Sequence, residues 1–200
     1  MSIIMNIYPA LIQFTSALSI ALNERDSYTR LHSDRVTGLC MELGKKIYLH
    51  SRELSLLETA AALHDIGKLG IPDVVLLKAG RLDEDELTIM HTHSERGGNI
   101  VLSLGHDGAT EVATAIRHHH ENFDGQGYPD KLQGEDIPLF ARIITIADNY
   151  DAIVSRRIYQ LAKNHHSAID LMSTESGSKH DPVLFAEFIR LIETSEYRAS

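Results

Sequence analysis

The sequence lacks most features that mark a secreted, membrane-spanning or nucleic-acid-coating protein. It has a single cysteine, which excludes an internal disulfide framework. It has no apolar run near the roughly 18 residues that span a bilayer. Acidic residues outnumber basic ones by 28 to 19, and the net charge of -9 argues against extended nucleic-acid binding. The chain also begins without the charged start of a signal peptide. We therefore expect a cytoplasmic protein that contacts neither a membrane nor a nucleic acid polymer.

What the sequence has instead is helical patterning and 12 histidines. Apolar residues recur at helical spacing in successive stretches, and neither strand pairs nor internal repeats occur. A length of 200 residues suits one domain. We predict a single domain over 1–200, with an N-terminal helix over about 8–24, a core over about 25–160 and C-terminal helices over about 161–200. The first helix either covers the core or pairs with a second copy of the chain.

The segment from His64 to Lys68 organises the rest of the chain. A histidine followed directly by an aspartate places a nitrogen ligand beside a carboxylate, but adjacent helical residues point about 100° apart. Both can reach one metal only near a helix end, and Gly67, Gly70 and Pro72 predict such an end. The alternative is that His64 is a buried histidine hydrogen-bonded to its neighbour.

Further candidate ligands lie on other predicted helices. His32 projects from the buried side of its helix. His91 and His93 share a helix but, being two positions apart, cannot both face one site. Three consecutive histidines at 118–120 end an apolar helix. Asp148 lies in the most apolar helix, where a carboxylate must be paired or must bind a metal.

Imidazoles and carboxylates without thiolates suit Fe, Mn, Zn, Ni or Co rather than a structural cysteine–zinc site. The set is larger than one metal needs, so we predict a two-metal site bridged by Asp65. Two metals about 3.5–4 Å apart can activate a nucleophile and clamp a phosphate. The converging candidates are His32, His64, Asp65, one histidine of the 91/93 pair, His119, His120 and Asp148.

Several other residues have simpler interpretations. Cys40 is expected to pack in a helix as a small hydrophobe. Ser51 is a predicted N-cap for a helix over about 52–64. Residues from about 70 to about 80 are predicted to form a loop with short extended pieces. Asp151 either accepts a hydrogen bond behind the ligands or lies on the helix surface. Three histidines near the C-terminus are expected to be solvated: His165, His166 and His180.

In combination these motifs resemble the HD-GYP subgroup of the HD metal-dependent phosphohydrolase superfamily. The resemblance extends from about residue 10 to about residue 192. It rests on the following segments: Arg25-Asp26-Ser27-Tyr28-Thr29, His32-Ser33, His64-Asp65-Ile66-Gly67-Lys68, Gly70-Ile71-Pro72-Asp73, His93, His119-His120-Glu121, Asp124-Gly125, Gly127-Tyr128-Pro129, Ala147-Asp148, Tyr150-Asp151-Ala152, Arg157 and Asp181-Pro182.

The resemblance implies an all-α, HD-domain helical bundle with a binuclear metal site in its core. Such proteins hydrolyse the bacterial second messenger cyclic di-GMP to pGpG or GMP. It implies two divalent ions, Fe or Mn, with Ni, Co or Zn as alternatives. It also selects the metal ligands His32, His64, Asp65, His93, His119, His120 and Asp148.

The resemblance assigns roles to residues outside the ligand set. Lys68 would contact the scissile phosphate, where an ammonium stabilises developing negative charge; the alternative is a cation placed by a helix C-terminus. Arg157 would bind a substrate phosphate. The Gly127-Tyr128-Pro129 segment would shape the substrate pocket, with Tyr128 either stacking on a base or closing the pocket. An ordinary Gly- and Pro-punctuated turn is the alternative for that segment.

The chain departs from the family pattern in two places. Tyr28 stands where some members have a glutamate and hold three metals, so two metals are expected here. Ile158 and Gln160 stand where many members have a proline and a basic residue, which weakens the predicted phosphate clamp. The alternative function is therefore a weak or inactive module that binds a cyclic dinucleotide or docks onto a GGDEF-type partner.

Overall fold

The computed structural model describes residues 17–18, 20, 22, 29–155 and 164–199, and there the chain is built from helices joined by short loops. Its β structure in those residues is one isolated bridge between Ser176 and His180, so the predicted all-α class is confirmed. None of the described helices is long and apolar enough to cross a membrane. The α-helices, numbered here in chain order, are α1 (Thr29–Lys46), α2 (Ser51–Leu63), α3 (Asp73–Leu76), α4 (Glu84–Leu102), α5 (Ala109–His118), α6 (Leu139–Val154), α7 (His165–Thr174) and α8 (Pro182–Ile192). Two 3-10 turns span Ile66–Gly70 and Gly134–Asp136.

Helix α6 lies at the centre of the bundle. It contacts α1, α2, α5, α7 and α8, and it buries Ile143, Ile144, Ile146 and Tyr150. A helix that is apolar on most sides is stable only when other elements surround it, because burial of that surface drives packing. Polar groups on the packed sides of α6 therefore lie within the bundle; Thr145 and Asp151 are buried and Asp148 is half-buried.

The turn that follows α2 packs unusually closely against α4. A Cβ atom on Gly67 would lie 1.8 Å from the carbonyl oxygen of His93 and 2.5 Å from the backbone nitrogen of Gly97. Helix α2 already ends at Leu63, so Gly67 is not the residue that stops it. Its lack of a side chain instead lets two backbones touch.

Two local predictions are corrected by the structure. The N-cap of α2 is His50, whose backbone N–H donates to Glu53 Oε2 at 2.8 Å, and Ser51 is already helical. Residues 73–76 form a helical turn rather than an extended piece. The N-terminal helix predicted over 8–24 falls mostly outside the described residues, although its described positions 17, 18, 20 and 22 are helical. Tyr28, Ile158 and Gln160 also lie outside them.

The prediction that the C-terminal histidines are solvated is wrong for two of the three. His166 is exposed, but His165 and His180 are buried. His165 Nδ1 lies 2.9 Å from the Tyr150 hydroxyl, and its Nε2 lies 3.0 Å from Glu193 Oε1. His180 packs its ring against Phe185, with ring centroids 5.5 Å apart. These partners come from α6, from α8 and from the residue that follows α8, so the local pattern around each histidine does not reveal them.

The burial of His180 predicts a pH-dependent loss of stability. Neither ring nitrogen has a hydrogen-bond partner among the described residues, although Glu175 Oε2 lies 3.4 Å from Nε2. Burial, aided by the charge of Lys179, lowers the pKa of His180 from 6.5 to about 4. As the pH falls, His180 is therefore protonated in the unfolded chain before it is protonated in the folded chain. The contribution of neutral His180 is complete above pH 6.5 and is lost toward about pH 4, by about 1.4 kcal/mol per pH unit.

We expect the variant His180→Phe to lose less stability than the wild type between about pH 7.5 and about pH 5. The measurement is urea unfolding of metal-free protein at both pH values, so that metal release does not contribute. Contributions from groups other than His180 are common to both proteins and cancel in the comparison. His166→Phe is the matched control, and its pH dependence should equal that of the wild type. Equal losses in wild type and His180→Phe would contradict the prediction.

Candidate metal centre

The seven side chains predicted as metal ligands meet in one region of the bundle. Five of them are buried, and His120 and Asp148 are half-buried. The packing of α1, α2, α4, α5 and α6 brings them together from positions far apart in the chain. By element, they are His32 on α1, His64 and Asp65 after α2, His93 on α4, His119 and His120 after α5, and Asp148 on α6.

The two pairs of adjacent ligands both lie at helix ends. Helix α2 ends at Leu63, immediately before His64 and Asp65, and α5 ends at His118, immediately before the other pair. Beyond a helix end the side chains of successive residues no longer diverge by the helical 100°. This is the position that the sequence predicted for the His64-Asp65 pair.

The candidate ligand atoms form two groups. One group comprises His93, His119 and His120, and the other comprises His32, His64 and Asp148; within each, the donor atoms lie within 4.8 Å of one another. In the first group, His93 Nε2 lies 3.4 Å from His119 Nε2 and 3.2 Å from His120 Nε2. In the second, His32 Nε2 lies 3.2 Å from Asp148 Oδ1.

Asp65 lies between the two groups. Its Oδ2 is 3.5 Å from His64 Nε2, and its Oδ1 is 3.6 Å from His93 Nε2. Each carboxylate oxygen therefore faces a different group, as a bridging ligand requires. Burial raises the pKa of Asp65, but the charge of Lys68 and the neighbouring histidines outweigh it and hold the pKa well below its usual value. The carboxylate is thus ionised and available as a ligand.

Backbone carbonyls fix the orientation of three of the histidine rings. Nδ1 lies 2.7 Å from the Ala61 oxygen in His64, 2.8 Å from the Met90 oxygen in His93 and 2.6 Å from the Ile116 oxygen in His119. A carbonyl oxygen only accepts, so Nδ1 carries the proton and Nε2 presents its lone pair to the centre. Such outer contacts are typical of metal-binding histidines.

The close approach of these ligand lone pairs is energetically unfavourable unless a cation binds between them. Unprotonated Nε2 atoms of His93 and His119 face each other, and the buried His64 Nε2 has no hydrogen-bond partner among the described residues. Burial lowers the pKa of His93 to about 4 and that of His119 to about 3, so both are neutral near pH 7. Neutral imidazoles and ionised carboxylates are the forms that bind divalent metal ions, and the donor set fits such ions.

His32 is oriented by a carboxylate rather than by a carbonyl. Its Nδ1 lies 2.7 Å from Asp151 Oδ2, and Arg35 binds the same carboxylate through Nε at 2.5 Å and Nη2 at 3.0 Å. The first of the two interpretations of Asp151 is therefore correct. Burial lowers the pKa of His32, but the hydrogen bonds to Asp148 and Asp151 outweigh it and raise the pKa to about 9. A metal ion must displace a proton from this histidine.

We expect Asp151→Asn to weaken metal binding about 10- to 100-fold, because His32 and Arg35 lose their shared charged acceptor. The measurement is a metal titration against a competing chelator near neutral pH. Asp170→Asn, at an exposed carboxylate on α7, is the matched control and should bind as the wild type does. An affinity of Asp151→Asn within twofold of the wild type would contradict the prediction.

The glycine-rich loop folds back onto the second ligand pair. A Cβ atom on Gly127 would lie 2.2 Å from the Asn122 nitrogen and 2.5 Å from the His120 oxygen, so only glycine fits. The backbone N–H of Tyr128 donates to that same His120 oxygen at 3.2 Å. The Tyr128–Pro129 peptide bond is cis. The loop is therefore held directly beside the metal centre.

The structure also places Tyr128 and Lys68 relative to the candidate ligands. The ring of half-buried Tyr128 lies 3.9 Å from that of His91 and 4.9 Å from that of His120, measured between centroids. His91 thus lies outside the ligand groups, while His93 is inside. Lys68 Nζ, partly exposed, lies 2.6 Å from Asp65 Oδ2 at the edge of the centre. Arg157 lies outside the described residues.

The sequence reasoning missed the residues that anchor the loop. Asp130 is bound by Arg117 through Nε at 2.7 Å and Nη2 at 2.8 Å, and His118 Nε2 lies 2.8 Å from it. The Asp130 N–H donates to Glu121 Oε1 at 2.7 Å. Arg35 was missed as well. Its spacing of three residues from His32 on one helix was a sequence signal that the two side chains share a face. No sequence signal indicated the Asp130 contacts.

Comparisons with known proteins show what this chain is similar to in sequence and in fold. The sequence model of the HD domain family matches residues 8–184. A Xanthomonas campestris protein named cyclic di-GMP phosphodiesterase response regulator RpfG is 40% identical over 168 residues, covering 84% of this chain and 44% of that protein. A Vibrio cholerae protein named 3'3'-cGAMP-specific phosphodiesterase 2 is 37% identical over 168 residues, covering 84% of this chain and 32% of that protein.

A solved structure shares the fold. The cyclic GMP-AMP-specific phosphodiesterase V-cGAP3 of V. cholerae aligns with a TM-score of 0.66 and 22% identity, covering 96% of this chain and 50% of that one. At this identity the likeness concerns the fold alone. The chain spans half or less of the length of each of these three proteins.

Proposed function

Because this chain belongs to the HD domain family, we propose that it is a metal-dependent phosphodiesterase that hydrolyses cyclic di-GMP to pGpG, GMP or both in bacterial second-messenger signalling. The observation that carries the proposal is the pair of ligand groups with Asp65 between them. Two adjacent metal positions beside a loop that can receive a nucleotide suit the cleavage of a phosphodiester.

The proposed cofactors are two divalent metal ions, Fe or Mn, with Ni, Co or Zn as alternatives. His93, His119 and His120 would hold one ion, and His32, His64 and Asp148 the other, with Asp65 shared between them. When bound, such ions supply Lewis-acid activation of a water molecule and of the phosphodiester.

Side chains outside the ligand set would bind the substrate and stabilise the transition state. In the reaction, a water oxygen forms a bond to phosphorus, the bond from phosphorus to the ribose 3'-oxygen breaks, and that oxygen leaves with a proton. The Lys68 ammonium, at the edge of the centre, would stabilise the negative charge that develops on the phosphoryl oxygens. The segment Gly127-Tyr128-Pro129 would border the substrate, and Arg157 would bind a substrate phosphate.

A second substrate has one observation in its favour. The V. cholerae relative at 37% identity is named for 3'3'-cGAMP, which differs from cyclic di-GMP in one base. The metal centre acts on the phosphodiester that both compounds contain. Discrimination between them would therefore depend on residues that contact the bases.

The proposed domain organisation is one catalytic domain over residues 1–200, acting in the reducing cytoplasm. The family match over 8–184 and the bundle centred on α6 support the single domain. Cys40, which is fully buried in α1 as predicted, supports a structural rather than a disulfide-forming role for the one cysteine.

The test is turnover of cyclic di-GMP by protein purified without oxygen and loaded with Fe(II) or Mn(II), with metal content counted. We expect pGpG or GMP as product and about two metals per chain. A competition panel with 3'3'-cGAMP and cyclic di-AMP distinguishes the substrates. Intact cyclic dinucleotides in the presence of fully loaded protein would reject the phosphodiesterase and favour a binding module.

A further inference from the structure

Three rings form a row that leads from the metal centre toward the surface. His120, one of the candidate ligands, is followed by Tyr128 at 4.9 Å and then by His91, whose ring lies 3.9 Å from that of Tyr128. The planes of Tyr128 and His91 are within 14° of parallel, and those of Tyr128 and His120 are tilted by 31°. His91 is the last ring of the row and is exposed.

The row changes the interpretation of Tyr128. His91 covers one face of the tyrosine at stacking distance, and the ring of His120 also lies near Tyr128, at a centroid distance of 4.9 Å and a tilt of 31°. A nucleobase therefore cannot stack on that face of Tyr128 without displacing His91. Among the rings that the structure describes, only Tyr128 contacts His91, so the outward face of His91 is the ring surface that remains accessible.

His91 is also held on a rigid part of the fold. Helix α4 starts with a capping box, in which Asp83 Oδ1 accepts from the Glu86 N–H at 2.9 Å and Glu86 Oε2 accepts from the Asp83 N–H at 2.9 Å. Further along, the backbone of the helix packs so closely against the turn that carries Gly67 that a Cβ atom there would overlap it. An aromatic surface on such a helix is already oriented before a ligand arrives, which lowers the entropic cost of binding.

We propose that His91 is a substrate-binding residue whose imidazole stacks on a purine base of the cyclic dinucleotide. The inference rests on the proposed function, because it requires a phosphate at the metal centre. One ribose separates that phosphate from its base, and His91 is two ring contacts, of 4.9 and 3.9 Å, from the candidate ligand His120. Stacking on a histidine ring is one of the ways in which proteins bind unpaired bases.

The variants His91→Ala and His91→Phe, each in metal-loaded protein, test the proposal. Loss of one base stack weakens binding about tenfold. We therefore expect KM for cyclic di-GMP to rise about tenfold in His91→Ala, with kcat changed less than about threefold, and to return toward the wild-type value in His91→Phe. Rescue by phenylalanine identifies a ring contact, because this side chain cannot replace a hydrogen bond or a charge. His166→Ala, at an exposed histidine on α7, is the matched control.

A binding measurement separates this proposal from the proposed activity. A cyclic dinucleotide that carries 2-aminopurine loses fluorescence when its base stacks on a ring. Quenching by wild type and His91→Phe, but not by His91→Ala, supports the proposal even if no substrate is hydrolysed. Product formation with equal KM and equal quenching in wild type and His91→Ala overturns it while leaving the phosphodiesterase intact. Failure of the loaded wild type to bind any cyclic dinucleotide overturns both.

Discussion

Replacing Asp65 with asparagine is expected to lower the turnover of cyclic di-GMP by about 10³-fold and to reduce the metal content below that of the wild type. The carboxylate directs one oxygen toward each ligand group, at 3.5 Å from His64 Nε2 and 3.6 Å from His93 Nε2. Asparagine keeps the size of the side chain but removes the negative charge and offers only one oxygen. Two positive ions would then approach each other without a shared anion.

The magnitude follows from what the metal centre contributes to the reaction. Lewis-acid activation supplies several kcal/mol of transition-state stabilisation, and each 1.4 kcal/mol is about tenfold in rate. Lys68 would in addition lose the carboxylate that lies 2.6 Å from its Nζ. The ammonium would then lack one contact that fixes its position at the edge of the centre, where it is proposed to stabilise the phosphoryl oxygens.

Metal counting and turnover should be measured on the same preparation of Asp65→Asn, purified without oxygen. Asp170→Asn is the matched control, since it makes the same chemical change at an exposed position on α7. The control should retain wild-type metal content and rate. If Asp65→Asn keeps two metals per chain and turns over within tenfold of the wild type, Asp65 is not the bridging ligand.

Gly67→Ala is expected to have the largest effect on stability. The added Cβ would lie 1.8 Å from the His93 oxygen and 2.5 Å from the Gly97 nitrogen. Both are backbone atoms of α4, so no side-chain rotation relieves the overlap, and the turn and helix must separate. Overpacking of this kind costs about 3 kcal/mol. Because His93 is on the helix that moves, metal binding should weaken together with stability.

Gly70→Ala is the control for this prediction. Gly70 lies in the same 3-10 turn, but its added Cβ would meet the Arg96 side chain, with Nη1 at 3.0 Å and Cδ at 3.1 Å. A flexible arginine can move aside, so the change in unfolding free energy should remain within about 1 kcal/mol. Urea unfolding of both variants and their metal content provide the comparison. Equal stability of the two variants would show that the close approach at Gly67 is not required.

The sequence was sufficient for the features that depend on local chemistry. Periodicity located the longer helices, because the side chains that repeat every three to four residues lie on one face, but it missed the short helical turn over residues 73–76. The helix-end position of His64-Asp65 followed from the angle between adjacent helical residues. Asp148 was found because a carboxylate in an apolar helix needs a partner. The family motifs selected His93 over His91, and the structure brings His93 and the other predicted ligands together.

Only the tertiary structure decided the contacts between distant parts of the chain. The pairing of His32 with Asp151 joins residues separated by 119 positions. The burial of His165 and His180 depends on neighbours in α6 and α8 that no local pattern reveals. The close approach at Gly67 and the row of rings from His120 to His91 likewise result from how helices and loops pack. Local propensity acts over a few residues, whereas these arrangements depend on which surfaces the folded chain places against one another.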